Sequence, residues 1–517
     1  MSARRERLGR VLLAGLAGAV GGAVFVAVAE AAAFLVARDA SPILAAGSFV
    51  IDIVPQGVKE LAIDLFGAND KLVLLLSLGA AVLIAAILAG ILESWRRWVG
   101  VAVFALAGIA GVLATTTRAG ATPLAFLPPL IGAFVGCVFL SLTIRALKRW
   151  RDAALPADRP VPADRRRFLA LTVIGAVAAV VVGTGARLGS AATSSVSAIR
   201  KALRLPEPSH RVVVPEGAEL DIPGITPLFT PNTDFYRVDT ALSVPSIDPG
   251  TWRLVVDGMV GRRVELSFDE LLRMGLDEYV VTLTCVSNQV GGNLVGNARW
   301  LGVPVHKVLA LANPSGDADM VLSRSIDGFT ASTPLDALTD PGRDAILAVA
   351  MNGQPLPLEH GFPVRMVVPG LYGYVSATKW LTELKVTTFE KDQAYWTPRG
   401  YSAQAPIKLS SRIDTPRIDK QIPAGAAKIA GVAWAQTTGI RRVEVQIDGG
   451  PWQEATLSRP INKDTWVQWS LDWNATSGSH TLVVRATDLA GRVQEQQRTP
   501  IAPDGSTGWQ STLVRVG

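Results

Sequence analysis

Five stretches of the chain, about residues 11 to 37, 72 to 92, 98 to 114, 124 to 144 and 168 to 186, are apolar over the roughly 17 to 25 residues that a helix needs to cross a bilayer. All five lie early in a chain of 517 residues, where Ala, Leu, Val and Gly dominate. Beyond about residue 205 the sequence has the mixed polarity, Pro and Trp of a soluble globular protein, so the positive mean hydropathy of the whole belongs to its first part. At roughly 150 residues per domain, the length allows about three units.

Orientation follows from the basic residues, because the cytoplasmic connections hold the excess of Lys and Arg. Arg4, Arg5, Arg7 and Arg10 precede the first span, and Arg96 and Arg97 lie between the second and third. Arg145, Lys148, Arg149, Arg151, Arg159, Arg165, Arg166 and Arg167 lie between the fourth and fifth, and the alternate connections are poorer in basic residues. The expectation is a multi-pass protein of the cell membrane with a cytoplasmic N-terminus and an extracytoplasmic soluble part. The basic balance is then a signal of topology and of contact with the lipid bilayer, and the sequence holds no nucleic-acid motif. Val50, Val54, Val58, Leu61 and Leu65, between Phe49 and Phe66, have the spacing of an amphipathic helix in the outer interface. Gly18 and Gly22 form a small-xxx-small pair of the kind that lets helices pack closely. Glu30 is almost alone as an ionisable residue within the spans, which counts against a transporter.

Residues 1–160 are thus expected to hold four transmembrane helices, and residues 161–190 the fifth. Asp164-Arg165-Arg166-Arg167-Phe168-Leu169-Ala170 resembles a twin-arginine export signal, although an ordinary basic flank reads the same way. Residues 191–224, rich in Ser and Ala and then in Pro and Glu, read as a linker. Residues 225–405 show short apolar runs between Gly, Pro and Asp-Gly turns, with helical patches such as Phe268 to Met274, and predict an α+β domain. Residues 406–517 change character again. Arg442-Val443-Glu444-Val445-Gln446-Ile447 alternates strictly, Asp448-Gly449-Gly450 turns, and Thr481 to Ala486 gives another strand, which predicts a β-sandwich.

The chain has two cysteines. Cys137 lies in an apolar span, so the pair cannot staple an exported domain. Cys285 follows the alternating run Val280 to Thr284 and precedes the Gly-rich segment Ser287 to Asn293, at a strand-to-loop edge. Local sequence leaves two readings of it open, a packed inert thiol and a ligand or nucleophile.

Several spaced motifs resemble the molybdopterin-dependent oxidoreductases of the sulfite oxidase family. They are Thr284-Cys285-Val286-Ser287-Asn288, Gly296 to Pro304, Met351-Asn352-Gly353-Gln354-Pro355-Leu356-Pro357, His360-Gly361-Phe362-Pro363-Val364-Arg365 and Lys379-Trp380-Leu381. The resemblance covers about residues 225 to 400 and extends to the C-terminal part, which is similar to that family's immunoglobulin-like dimerisation domain. It does not reach the first 160 residues. The fold it implies is a multi-span α-helical membrane domain, an α+β sulfite-oxidase-like molybdopterin domain and a C-terminal immunoglobulin-like β-sandwich.

The resemblance implies that Cys285 is the catalytic thiolate on molybdenum, the pterin dithiolene supplying the other sulfurs. Soft sulfur donors suit such a metal, and coordination keeps the thiol deprotonated. It also implies that His360, Arg365, Thr378 and Lys379 bind the pterin and its phosphate, with Tyr236 and Arg237 on a loop around it. Val238 and Asp239 stand where the family has an Asn-His pair. Further departures gather where substrate would sit. Gln289-Val290 replaces an Arg pair, Phe329 replaces a Tyr, and Gly373 to Thr378 replaces a Gly-Ala-Arg segment. A buried dianion needs converging cations, so sulfite is a doubtful substrate here. Arg299 and Arg399 are the candidates to replace the missing charge, with a structural role as the alternative for each.

The expected activity is two-electron oxygen-atom transfer on a small extracytoplasmic substrate, the cofactor carrying the chemistry. Alternatives are a sulfoxide-type reductase acting on oxidised protein or small molecules, and a scaffold that has lost the metal. His210, His306, His360 and His480 all follow the spans, and no haem-attachment or iron-sulfur pattern is present, so no haem is expected in this chain. A separate electron carrier or membrane redox partner is expected, as is a possible homodimer through the C-terminal domain.

Overall fold

The computed structural model describes residues 2–36, 41–54, 58, 65, 70–117, 123–152, 163–188, 191–417 and 420–517. They form two compact units, Met1–Ser195 with Ala241–Ser243, and Val196–Thr240 with Val244–Gly517.

The first unit is helical. Among its described residues, four helices are long and apolar enough to cross a membrane, at Leu8–Val36, Leu72–Trp95, Val99–Thr116 and Leu127–Trp150. The fifth expected span falls in the helix Ala163–Leu188, whose side chains are described only as far as residue 182. Of the interfacial helix expected from Phe49 to Phe66, the first residues belong to the helix Pro42–Ile53, and most of the rest lies outside the described residues. Gly18 and Gly22 do mark close packing. A Cβ on Gly18 would collide with the carbonyl oxygen of Ala86, and one on Gly22 would come within 2.7 Å of the Ala86 side chain. Small side chains build this interface, with Ala14, Ala17, Ala86 and Ala89 all buried beside Phe104 and Leu140.

The second unit contains four sheets. One has the order β2 (Val264–Ser267), β1 (Arg253–Gly258), β10 (Leu381–Thr387), β5 (Met320–Ser325) and β6 (Thr330–Pro334), with β1 parallel to β10. Between β2 and the next strand runs the short helix Phe268–Arg273. It starts where the sequence pattern placed it because Ser267 and Glu270 form a capping box. A second sheet has the order β3 (Asp277–Thr284), β4 (Val295–Pro304), β7 (Ile346–Met351) and β8 (Gln354–Pro355), with β9 (Arg365–Val367) also pairing with β7.

Alternation along β3 explains its two buried faces. Val281 and Leu283 join a core with Phe235, Trp300 and Phe362. Thr282 turns the other way, where its hydroxyl lies 3.1 Å from Asn297 Oδ1 and accepts the Trp466 N–H at 2.8 Å. The segment read as a linker is packed against this unit. Its helix Ala191–Ala202 buries Val196 in the same core, Arg200 Nε donates to the Leu356 carbonyl at 2.7 Å, and Ala218 is buried with Trp434 and Trp466.

The C-terminal part has two four-stranded sheets. One runs β11 (Ser410–Thr415), β12 (Gly425–Trp434), β16 (Val467–Ala475), β15 (Thr456–Leu457), and the other β14 (Trp452–Glu454), β13 (Ile440–Ile447), β17 (Gly478–Asp488), β18 (Gln510–Val516). They share one core, in which Ile429 and Trp469 of the first meet Val443, Leu482 and Val514 of the second.

Candidate active site

Cys285 sits where β3 ends, and the chain then makes a tight loop that returns in β4. Its N–H donates to the Leu294 carbonyl at 2.9 Å, and its carbonyl accepts the Asn288 N–H at 3.0 Å. The buried Asn288 side chain closes the loop by accepting the Leu294 N–H at 2.9 Å. The C-terminal part holds the loop from outside. Ser506 Oγ donates to the Asn288 carbonyl at 2.8 Å, and Arg412 Nη1 to the Gly292 carbonyl at 2.8 Å. The thiol is buried, and burial pushes its pKa up, opposed by hydrogen bonds from Ser287 and by the charge of Lys379. Unligated, it is a thiol rather than a thiolate.

The thiol faces a cavity of about 130 Å³, which Tyr236, Asp239, His360, Arg365 and Lys379 also line. His360 ends the turn Leu358–His360 and is buried. Burial and the charge of Arg365 push its pKa down to about 4, so the ring is neutral near pH 7. Nε2 lies 3.1 Å from the Asn232 carbonyl, which can only accept, so Nε2 carries the proton and Nδ1 is left as an acceptor. Gly361, at φ 109°, follows in a conformation that L side chains rarely adopt, and a Cβ there would lie 3.1 Å from the Lys379 Cβ. That turn brings the backbone of Gly361 against Lys379.

Arg365, on β9, is buried and donates to carbonyls alone, those of His360 (3.3 Å), Met366 (3.3 Å) and Ala377 (3.4 Å). Its guanidinium lies 5.2 Å from the centre of the Trp300 ring. Among the described residues no carboxylate pairs with it, and burial pushes its pKa down to about 10. Lys379 is different. Its Nζ is 2.6 Å from Asp239 Oδ2 and 3.2 Å from the Glu359 carbonyl, and Arg237 Nε reaches the same Asp239 oxygen at 2.9 Å. Burial lowers the Lys379 pKa to about 8 against the opposing pull of Asp239. Burial pushes the Tyr236 hydroxyl far up, and it stays protonated.

The fold brings Cys285, Tyr236, His360, Arg365, Lys379 and Phe329 to one cavity. Thr378 is fully buried and sits beside it, its Oγ1 2.7 Å from Ser323 Oγ. Arg237 acts on the cavity through Asp239. Three residues expected at the substrate pocket lie outside this cavity. Gln289 is exposed at the tip of the Cys285 loop, and Arg299 is tied to Glu278 at 3.1 Å on β4 and lies over the Phe229 ring. A strand residue alternates faces, and the register of β4 turns Arg299 away from the thiol. Arg399 donates to the Tyr395 carbonyl at 2.6 Å and stacks on its ring, outside the lining.

Sequence reasoning missed Asp239 as a counter-ion, and also Asp327, Tyr374, Trp396 and Tyr401, which line the cavity. The departure at Asp239 was visible, but the cation facing it lies far along the chain.

Among the described residues no three His, Cys, Asp or Glu side chains gather as a metal cluster, so a metal at Cys285 would need most of its ligands from another molecule. A buried guanidinium whose partners are all neutral carbonyls is the complement of a buried anion. These residues therefore fit a thiolate-ligated metal carried by an anionic organic group.

Comparison with known proteins agrees with this donor set. Residues 241–396 match the oxidoreductase molybdopterin binding domain, and residues 402–501 the Mo-co oxidoreductase dimerisation domain. Human mitochondrial sulfite oxidase is 33% identical over 320 residues, covering 53% of this chain and 58% of that protein. An inducible nitrate reductase [NADH] of Glycine max is 27% identical, covering 49% of this chain and 36% of that protein. The chain thus spans little more than half the length of the mammalian sulfite oxidases that it matches. The sulfane dehydrogenase SoxCD from Paracoccus pantotrophus shares the fold, with a TM-score of 0.51 and 21% identity over 62% of this chain and 90% of that one. Residues 241–501 are therefore built from molybdopterin oxidoreductase domains of the sulfite oxidase family. The relatives that carry these domains are enzymes.

Proposed function

We propose that this protein is a membrane-anchored molybdenum-pterin oxidoreductase that performs two-electron oxygen-atom transfer on a small extracytoplasmic substrate. One observation carries the reading. A single cavity joins the unpaired thiol of Cys285 to a buried Arg365 without a carboxylate, a neutral His360 and the cation of Lys379. In this reading Cys285 gives up its proton on ligating the metal, while Arg365, Lys379 and His360 hold the pterin and its phosphate. Tyr236, Arg237 and Thr378 support them. When bound, the group supplies reversible two-electron oxygen-atom chemistry. The chain's part is to bury the thiol, keep His360 neutral with Nδ1 available as an acceptor, and keep two cations at the cofactor.

The membrane helices and the distribution of basic residues support an N-terminus in the cytoplasm and the catalytic unit outside it. Export by a twin-arginine route at Arg165 and Arg166 would move the unit folded, with its cofactor inserted. The match to a dimerisation domain supports a homodimer through an immunoglobulin-like C-terminal domain. Electrons would pass singly to or from a separate carrier or membrane partner. Reduction of a sulfoxide-type substrate is a second reading within the same chemistry, favoured by an aromatic wall with few cations.

The test is metal analysis, with pterin fluorescence after oxidation, on the full chain made in a host that synthesises the cofactor. Near-stoichiometric molybdenum and pterin are expected. Folded, cofactor-free protein from that host would turn the reading toward a scaffold that has lost the metal.

A further inference from the structure

Beyond the groups assigned to the cofactor, the Cys285 cavity has a wall of aromatic rings. Phe329, Tyr374, Trp396 and Tyr401 line it, with Asp327 beside them. The rings support one another through edge or tilted contacts. Ring centres are 5.6 Å apart for Tyr374 and Tyr401, 5.3 Å for Trp396 and Tyr401, and 5.2 Å for Trp396 and Tyr395, whose ring lies 5.9 Å from Phe329. The Tyr374 hydroxyl is engaged with the Ser402 carbonyl at 2.7 Å, so this residue offers the cavity ring rather than hydroxyl. Asp327 is half-buried, and its Oδ1 accepts the Phe329 N–H at 3.3 Å. Among the described residues no Lys or Arg is paired with it.

The cavity's two cations are already assigned to the cofactor, Lys379 with its counter-ion Asp239 and Arg365 against the Trp300 face, which leaves neither to the aromatic wall. Arg399 stacks on Tyr395 and does not line the cavity. Electron-rich ring faces with a carboxylate at their edge attract a weakly hydrated, methyl-rich cation and repel an oxyanion.

We propose that this wall selects a tertiary amine N-oxide, its methylated positive nitrogen held among Phe329, Trp396 and Tyr401 beside Asp327, in preference to an oxyanion such as sulfite or nitrate. The proposal rests on the oxygen-transfer reading above and names its substrate class and direction. The bond between nitrogen and oxygen breaks, and the oxygen leaves as water. In balance, one amine N-oxide takes up two electrons and two protons and gives one tertiary amine and one water, the electrons coming singly from a reduced one-electron carrier.

The experiment uses the full chain, with molybdenum and pterin measured first. Tetramethylammonium, which has the charge and methyl groups but no oxygen to transfer, is titrated by calorimetry, with sodium sulfate as the control. Saturable binding is expected for tetramethylammonium and none for sulfate. Trp396→Ala and the isosteric Asp327→Asn should each weaken it roughly tenfold, the size expected of a desolvated cation–π or ion contact, and Trp396→Phe should retain most of it. With reduced methyl viologen, the loaded enzyme should reduce trimethylamine N-oxide, inhibited competitively by tetramethylammonium. Loaded protein that does not bind tetramethylammonium, or that turns over sulfite or dimethyl sulfoxide faster than the N-oxide, overturns the substrate class and leaves the oxygen-transfer reading standing. Folded protein without molybdenum or pterin overturns that reading instead, even if tetramethylammonium binds.

Discussion

Asp239 places Oδ2 2.6 Å from the Nζ of Lys379, and the same oxygen receives Arg237 at 2.9 Å. The carboxylate is buried, its side chain 4% exposed. Lys379 therefore stands in the cavity as half of an ion pair, whereas Arg365 has neutral partners. The two cations are expected to respond differently to loss of a neighbour.

Asp239→Asn leaves the buried ammonium without its counter-charge and should destabilise the protein by roughly 3 kcal/mol. The Lys379 pKa, already depressed from the ordinary 10.5 to about 8 by burial, should fall further once Asp239 no longer opposes the shift. Cofactor held by this ammonium is retained below that pKa and lost above it. Molybdenum retention should therefore fall as pH rises through the Lys379 titration, and at a lower pH in Asp239→Asn than in the wild type. Protein stability has the opposite slope. Between about 8 and 10.5 the unfolded chain binds the proton that the folded chain has released, so this residue's contribution rises with pH there. Equal midpoints in the two proteins, read by metal analysis after gel filtration, would reject the pairing.

Cys285→Ala should remove molybdenum binding and all turnover while changing stability by only about 1 kcal/mol, because one small buried atom is lost and the loop keeps its backbone hydrogen bonds. Metal content and a thermal melt on the same sample check both halves. Normal turnover by this variant would sink the ligand assignment.

His360 supplies an acid-side signature. Its folded pKa of about 4 is below the ordinary 6.5, so the folded state releases a proton that the unfolded state holds between those values. Stability from this residue is then lost as pH falls from 6.5 toward 4. His360→Gln should flatten the stability profile in that window, measured by urea unfolding at several pH values. An unchanged acid slope would show that His360 already titrates normally.

Cys285, His360 and Arg365, which meet at one cavity, were legible because each sits in a short motif with its own turn. Cys285 follows an alternating strand, and His360 and Arg365 share one run of six residues. The long apolar helices were legible for a similar reason, since length and hydropathy are local, and Gly18 and Gly22 reported a close approach that the packing then showed. The cavity wall was not. Asp327 and Phe329 come from the turn between β5 and β6, Trp396 and Tyr401 from the segment after β10, and these strands belong to a different sheet from the β3 that ends at Cys285, so only the tertiary fold brings them together. Arg299 shows the converse failure, a residue in a matching motif whose strand register points it to Glu278. The packed stretch from 196 to 224 also escaped reading, because its few buried anchors are separated by the Pro and Glu of an apparent linker.

The last prediction concerns how the C-terminal sheets hold the Cys285 loop. Arg412, on β11, is buried, pairs with Asp414 at 2.6 Å, and donates to Thr226 Oγ1 at 2.7 Å as well as to the Gly292 carbonyl. Arg412→Met strands the Asp414 carboxylate, and it should cost roughly 3 kcal/mol and free the loop from Ser287 to Asn293. Ser506→Ala removes only a hydrogen bond to the Asn288 carbonyl and should cost about 1 kcal/mol while loosening the same loop. Hydrogen exchange separates the two effects. Both variants should speed exchange at the amides of Asn288 and Leu294, which the loop protects by bonds to the Cys285 carbonyl and the Asn288 side chain. Unchanged exchange there in both variants would mean that β3 and β4 alone hold the thiol in place.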